Sequence, residues 1–190
     1  MEKGKAYKLN CYWDANEGAV VGKQNSTWEG NIILNKDNSV IGYATDAGKP
    51  MPTHLLIGTM VENIGLSICK IHANNTVYDP IIFDVLKNNN GNENTFYGCF
   101  YSRTPFNDVQ LGISSIEIKE QPLSDNIKSN YEFFEQKIRK NGGFQAYLLD
   151  FLQPSEYHEE MTQNLIQFYE ECKNEELPPE LLTQIQPGSN

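Results

Sequence analysis

The residues able to do chemistry in this 190-residue chain are few and scattered. It holds three histidines, His54, His72 and His158, and four cysteines, Cys11, Cys69, Cys99 and Cys172. A metal site or an acid–base pair needs imidazoles to converge with a carboxylate. His54 and His72 fall near the ends of neighbouring expected strands, with Asp46 or Asp79 placed to approach them. The plainer reading is a pair of ordinary strand-edge histidines. His158, in Glu156-Tyr157-His158-Glu159-Glu160, suits a solvated helix face. No two cysteines form a C-x-x-C pair, so neither zinc nor a redox motif is suggested, and reduced, buried thiols are expected. The expectation is no metal and no cofactor.

Paired carboxylates serve glycoside hydrolysis when they face each other across a cleft. Glu29, Glu117 and Asp84 are the strand candidates. Nothing in their spacing forces them together, and alternation turns Glu29 and Glu117 to solvent. No G-x-S-x-G, H-E-x-x-H, Walker loop or dinucleotide fingerprint is present. Aromatic residues offer more. Tyr12, Trp13, Trp28, Tyr43, Tyr97, Phe100 and Tyr101 fall on expected strands, where rings and hydroxyls suit a planar or sugar-like ligand. Core packing accounts for the same residues. Arg103 ends a strand and is a candidate to close a pocket mouth on an anion, or a plain surface arginine.

The elements that position these groups are strands first and helices after. Residues two apart share a strand face. Trp28, Gly30, Ile32 and Leu34 therefore form one apolar face, with Glu29, Asn31 and Ile33 on the other. Asp37-Asn38 supplies a turn that tolerates positive φ, and Val40 to Tyr43 returns. Gly42 marks a bulge or a close backbone approach. Residues 7–13 alternate as an earlier strand. Further strands are expected over 54–61, 65–71, 81–86, 95–102 and 110–119, with turn signals between them. The 54–61 and 65–71 pair is apolar on both faces, so a helix or a partner subunit should cover it. Pro80 opens the 81–86 strand.

After Pro122 the period becomes helical. Leu123, Ile127, Tyr131, Phe134 and Ile138 form one stripe, ended by Asn141-Gly142-Gly143. Phe144, Tyr147, Leu148, Phe151 and Leu152 form a second. A third helix, with Pro154 in its first turn, carries Met161, Leu165, Phe168 and Cys172. The pattern ends at Glu175-Glu176-Leu177-Pro178-Pro179, with a short turn expected over 180–185. The expected organisation is a barrel domain over residues 1–122 and a C-terminal helical segment over 123–190, packed on or beside it.

Ser26-Thr27-Trp28-Glu29-Gly30, the alternating strand, the polar turn and Gly42-Tyr43 together resemble the opening of lipocalin-like and avidin-like barrels. Ser26 stands where lipocalins have Gly. The resemblance spans roughly residues 26–119 as a pattern of hairpins. It implies a calycin-type fold, mainly β: an antiparallel up-and-down β-barrel of about eight strands, followed here by helices. It implies a Trp plugging one end and a small, largely apolar ligand in the mouth near Trp28, Tyr43, Phe83 and Phe100, with Arg103 at the rim.

The formal net charge of −10 argues against nucleic acid and anionic membrane as partners. Residues 1–122 hold ten Lys/Arg and thirteen Asp/Glu, and residues 123–190 hold five and twelve. The helical segment is the more acidic part, a solvated surface or a dock for a basic partner. Met1 to Ala6 begins no apolar signal segment, and no apolar run is long enough to cross a bilayer, so a cytoplasmic location is expected. The leading functional expectation is a non-enzymatic small-molecule-binding protein. The alternative is a protein-interaction module with a filled barrel, joining a partner or a second copy through its helices. A calycin-like enzyme using His54 or His72 ranks third.

Overall fold

The computed structural model describes residues 1–15, 25–73, 80–87, 94–103, 109–152 and 155–173. Eight antiparallel strands close into one barrel in chain order. They are β1 (Lys5–Ala15), β2 (Asn25–Leu34), β3 (Ser39–Asp46), β4 (His54–Val61), β5 (Gly65–His72), β6 (Ile81–Lys87), β7 (Thr95–Arg103) and β8 (Val109–Gln121). Closure comes from β8 pairing back on β1, with Ile116 opposite Cys11. Every strand edge is thereby used, which removes the exposed edges that an open sheet must protect. Three helices follow: α1 (Asp125–Asn141), α2 (Gly143–Leu152) and α3 (Ser155–Cys172). None of the described helices is long and apolar enough to cross a membrane.

The period-two pattern sets which side chains fill the interior. Leu9, Trp28, Ile32, Ile68, Phe83 and Ile116 are all but inaccessible there. Trp28 is indeed a core residue at one end, but it lies on the second strand, because residues 5–15 form a full strand before it. Trp28 meets Phe83 edge-on with centroids 5.3 Å apart, and Phe83 lies 5.8 Å from Phe100. Glycines admit these rings. A Cβ on Gly30 would come within 2.9 Å of Trp28 Cζ3, and one on Gly112 within 2.3 Å of Phe100 Cε1. Ring edges therefore occupy the space those side chains would need.

Asn38 takes the positive φ of the first hairpin turn, at 72°. Asp37 fastens the turn by accepting from the backbone N–H and the hydroxyl of Ser39, at 3.0 and 2.6 Å. Gly42 is a close approach: a Cβ there would meet Asn31 O at 2.1 Å.

The doubly apolar β4–β5 pair is covered by the chain's own helices. Leu55, Ile57, Cys69 and Ile71 pack outward against Tyr131, Phe134, Ile138, Leu149 and Leu152. Helix α1 lies on β3 and β4, and α3 on β4 and β5. The first stripe buries Ile127, Tyr131, Phe134 and Ile138, but Leu123 precedes the helix and stays exposed. Gly142 ends α1 with φ of 67°. In α3, Met161 and Leu165 are buried. The stripe expected on α2 is divided. The helix buries Gln145, Leu149 and Leu152 and leaves Phe144, Tyr147 and Phe151 exposed. Spacings of four and three put the buried trio on one face, so the aromatic trio, spaced three and four, must take another. Pro154 and residues 174–190, including the turn expected at 180–185, lie outside the described residues.

Candidate functional site

We call the end of the barrel where β3 finishes and β4 begins the upper end. Residues 16–24, 74–79 and 104–108 lie outside the described residues. Four polar groups gather at this end on the inward face: Asp46, His54, Lys70 and His72. Register explains the gathering. His54 starts β4 directly opposite His72 on β5, and Lys70 pairs across the same ladder with Leu56. Asp46 ends β3, whose partner across β2 is Trp28.

Lys70 is the unusual member. It shares the inward face with Leu66 and Ile68 and is only 4% exposed. Its Nζ donates a short hydrogen bond to Oδ1 of Asp46, and lies 5.6 Å from the centroid of the Trp28 ring. Asp46 is 37% exposed, so the pair meets water on one side. Burial pulls the Lys70 pKa below its ordinary value, and the Asp46 carboxylate partly opposes that shift.

The histidines are neutral neighbours. Burial pushes the His54 pKa down to about 2, and the neighbouring Lys70 and His72 push the same way. Its Nδ1 lies 3.6 Å from Asp46 Oδ2, a polar contact and not an ion pair, because an imidazole with that pKa carries no charge at neutral pH. The Thr53 hydroxyl and His54 Nδ1 share a hydrogen bond of 2.8 Å. His72 packs edge-on against His54 at 4.7 Å between centroids. Its pKa is also lowered, by burial first, with Asp46 opposing. Trp28 Nε1 is a buried donor with no partner among the described residues. Cys11, opposite Trp28 on β1, has its thiol pushed well above the ordinary value by burial, so it remains protonated.

Among the sequence candidates, Trp28, Phe83 and Phe100 come together inside the barrel. Tyr43 does not join them. It sits on the outer face of β3, packed against the helix-covered cluster, because it stands three positions from the inward Val40 and one from the inward Ala44, both odd offsets. Arg103 ends β7, and its side chain lies outside the described residues. His54 and His72 do converge with Asp46, as their strand-end positions suggest, while Asp79 lies outside the described residues. No group of three or more metal-ligating side chains suited to an ion occurs among the described residues.

The carboxylates form no cleft pair. Glu29 and Glu117 flank Asn10 across the outer faces of β2, β1 and β8, engaged by Lys8 at 2.8 Å and Lys119 at 3.0 Å respectively. Asp84 lies on the outer face of β6, accepting from the Ser67 hydroxyl and from Tyr101, with its pKa raised by burial. His158 lines an open groove of about 670 Å³ beside the β2–β3 turn. A smaller pocket of about 270 Å³ lies at the lower end, around Tyr7, Glu62 and Phe96. Neither pocket touches Trp28, Phe83 or Phe100.

Lys70 escapes a motif search because a single lysine in a strand matches none. The available signal was the alternation itself: Leu66, Ile68 and Lys70 share a parity, which sends the amine inward. The chain matches no protein-family model, no curated protein and no solved structure.

Proposed function

We propose that this is a non-enzymatic binding protein that takes a small ligand at the upper end of the barrel, on the solvent side of the Lys70–Asp46 pair. The carrying observation is that buried pair at the end of a largely apolar interior. A buried ion pair adds little to stability over apolar packing, and perturbed charged groups cluster at functional sites. Trp28 supports the reading by offering a ring face to the amine and an N–H that has no partner among the described residues. A ligand with an apolar body and oxygen acceptors would answer both groups. The body of the ligand stays at the barrel's end, since side chains fill the interior. Binding at a barrel end floored by a tryptophan suits the lipocalin-like and avidin-like relationship, which we include in the proposal. A cytoplasmic location fits four cysteines that form no disulfide.

Thermal-shift screening against lipids, flavonoids, sugars and small carbonyl compounds tests this. A ligand that binds only the folded chain raises Tm. The expected hit raises Tm in the native chain and fails to do so in Lys70→Met. Hits that stabilise Lys70→Met equally, or no hit, would overturn it.

A second reading rests on α2. Phe144, Tyr147 and Phe151 stand half to two-thirds exposed in one row, nearly parallel, with ring centroids 6.4 and 6.3 Å apart. Asp150 is the single charge on α2, and Arg139 holds it. In a chain of net charge −10, two such neutral rows can meet without repulsion. The occupant we assign to this face is a second copy of the chain.

A further inference from the structure

We propose that Lys70 holds its ligand covalently, as an imine with an aldehyde or ketone. The inference rests on the upper-end binding reading and goes further by fixing the ligand's reactive group.

Three placements support it. First, the amine is enclosed by apolar barrel side chains and the Trp28 ring, where an ammonium is poorly solvated and the neutral, nucleophilic form gains ground. The lowered pKa of Lys70 agrees with this environment. Second, Asp46 hydrogen-bonds the same nitrogen and is itself partly in water, so a proton has somewhere to go and a path out. Third, His54 Nδ1 lies 3.6 Å from the other carboxylate oxygen and stays neutral, so it brings no second positive charge to compete with Lys70 for Asp46.

The step balances without any oxidant or reductant. Lys70 gives its ammonium proton to Asp46, and the Nζ lone pair bonds to the carbonyl carbon as the C=O π pair moves onto oxygen. Two further protons pass from nitrogen to that oxygen, through Asp46, and the oxygen leaves as water. The carbon–nitrogen double bond that remains takes back the first proton. The products are a protonated imine, with Asp46 as its counter-ion, and one water molecule.

Cys11 does not compete for the carbonyl, being buried and held as the thiol. The exposed lysines carry amines too and compete for the carbonyl, but none of those described is enclosed as Lys70 is. Lys128, 69% exposed on α1, serves as the internal control.

The experiment treats the full chain at neutral pH with an equimolar dose of benzaldehyde and sodium cyanoborohydride, then maps benzylated lysines by peptide mass spectrometry. The expected result is benzylation of Lys70 ahead of Lys128. That fast labelling is lost in Lys70→Arg, which keeps the charge and the pair with Asp46 but forms no stable imine. Labelling confined to exposed lysines, or equal at Lys70 and Lys128, overturns the proposal. Benzyl alcohol, which cannot form an imine, separates the two failures in a parallel thermal-shift assay. If it raises Tm while Lys70 stays unlabelled, the site binds ligands but makes no covalent bond. If it raises no Tm and Lys70 stays unlabelled, both readings fall.

Discussion

Lys70 on β5 reaches across the whole of β4 to donate its Nζ proton to Asp46 at the end of β3. The two ends of that bond differ in surroundings, with the amine buried and the carboxylate partly wet. Each partner therefore depends on the other to a different degree.

Removing Asp46 strands a buried ammonium, whereas removing Lys70 leaves a carboxylate that water still solvates. Asp46→Ala should cost about 3–5 kcal/mol, the usual penalty for an uncompensated buried charge. Lys70→Met should cost much less, because its chain fills the same apolar space. Urea unfolding of both variants checks the order, and equal losses would contradict the geometry.

His54 makes stability depend on pH. Its folded pKa of about 2 lies below the ordinary 6.5. Below pH 6.5 the unfolded chain takes up a proton that the folded chain refuses. The stability present above that pH is therefore lost progressively as pH falls toward 2. His72 adds in the same direction. Asp84, with its raised pKa, acts in the opposite sense, its contribution being present at low pH and lost as pH rises. The difference between the native chain and His54→Gln isolates the histidine. The native unfolding free energy from urea titrations should fall more steeply than the variant's from pH 6.5 to 5, by up to about 1.4 kcal/mol per pH unit.

The interior is filled by rings, so opening it should be costly and should create a site. Phe83→Ala should destabilise by about 3–5 kcal/mol. The void it leaves is lined by Trp28, Phe100 and aliphatic neighbours and should stay dry. Benzene should then raise the Tm of the variant and leave that of the native chain unchanged. Equal stabilisation of both would mean the native interior already has room.

Within the α2 row, Phe144 and Tyr147 stack along the helix, whereas Phe151 also packs edge-on against Tyr157 of α3 with centroids 5.0 Å apart. Replacing Phe144 and Tyr147 together by serine should change stability by no more than about 0.5 kcal/mol per site. Sedimentation velocity should show association of the native chain that weakens in the variant. A native chain that stays monomeric at high concentration, or a variant that associates equally, would remove the second-copy reading.

What the sequence determined by itself was the alternation and its end. Period two between residues 7 and 119 placed Trp28 and Ile32 inward, Asp37-Asn38 formed a turn, and the helical stripe of Ile127, Tyr131, Phe134 and Ile138 buried one face. These features are local, because backbone geometry over a few residues decides them. Parity also carried the signals for Tyr43 and Lys70: one sits out of phase with Val40 and Ala44, the other in phase with Leu66 and Ile68. Reading aromatic residues by type alone joined Tyr43 to a pocket it does not face and passed over the lysine. Tertiary structure alone decided the rest. Whether β8 reaches β1 depends on twist accumulated over eight strands, which no short window contains. The meeting of Asp46 with Lys70, 24 positions apart, depends on the register of the β3–β4 and β4–β5 ladders. The choice between the leucine and aromatic faces of α2 was settled by which one the neighbouring helices α1 and α3 could bury.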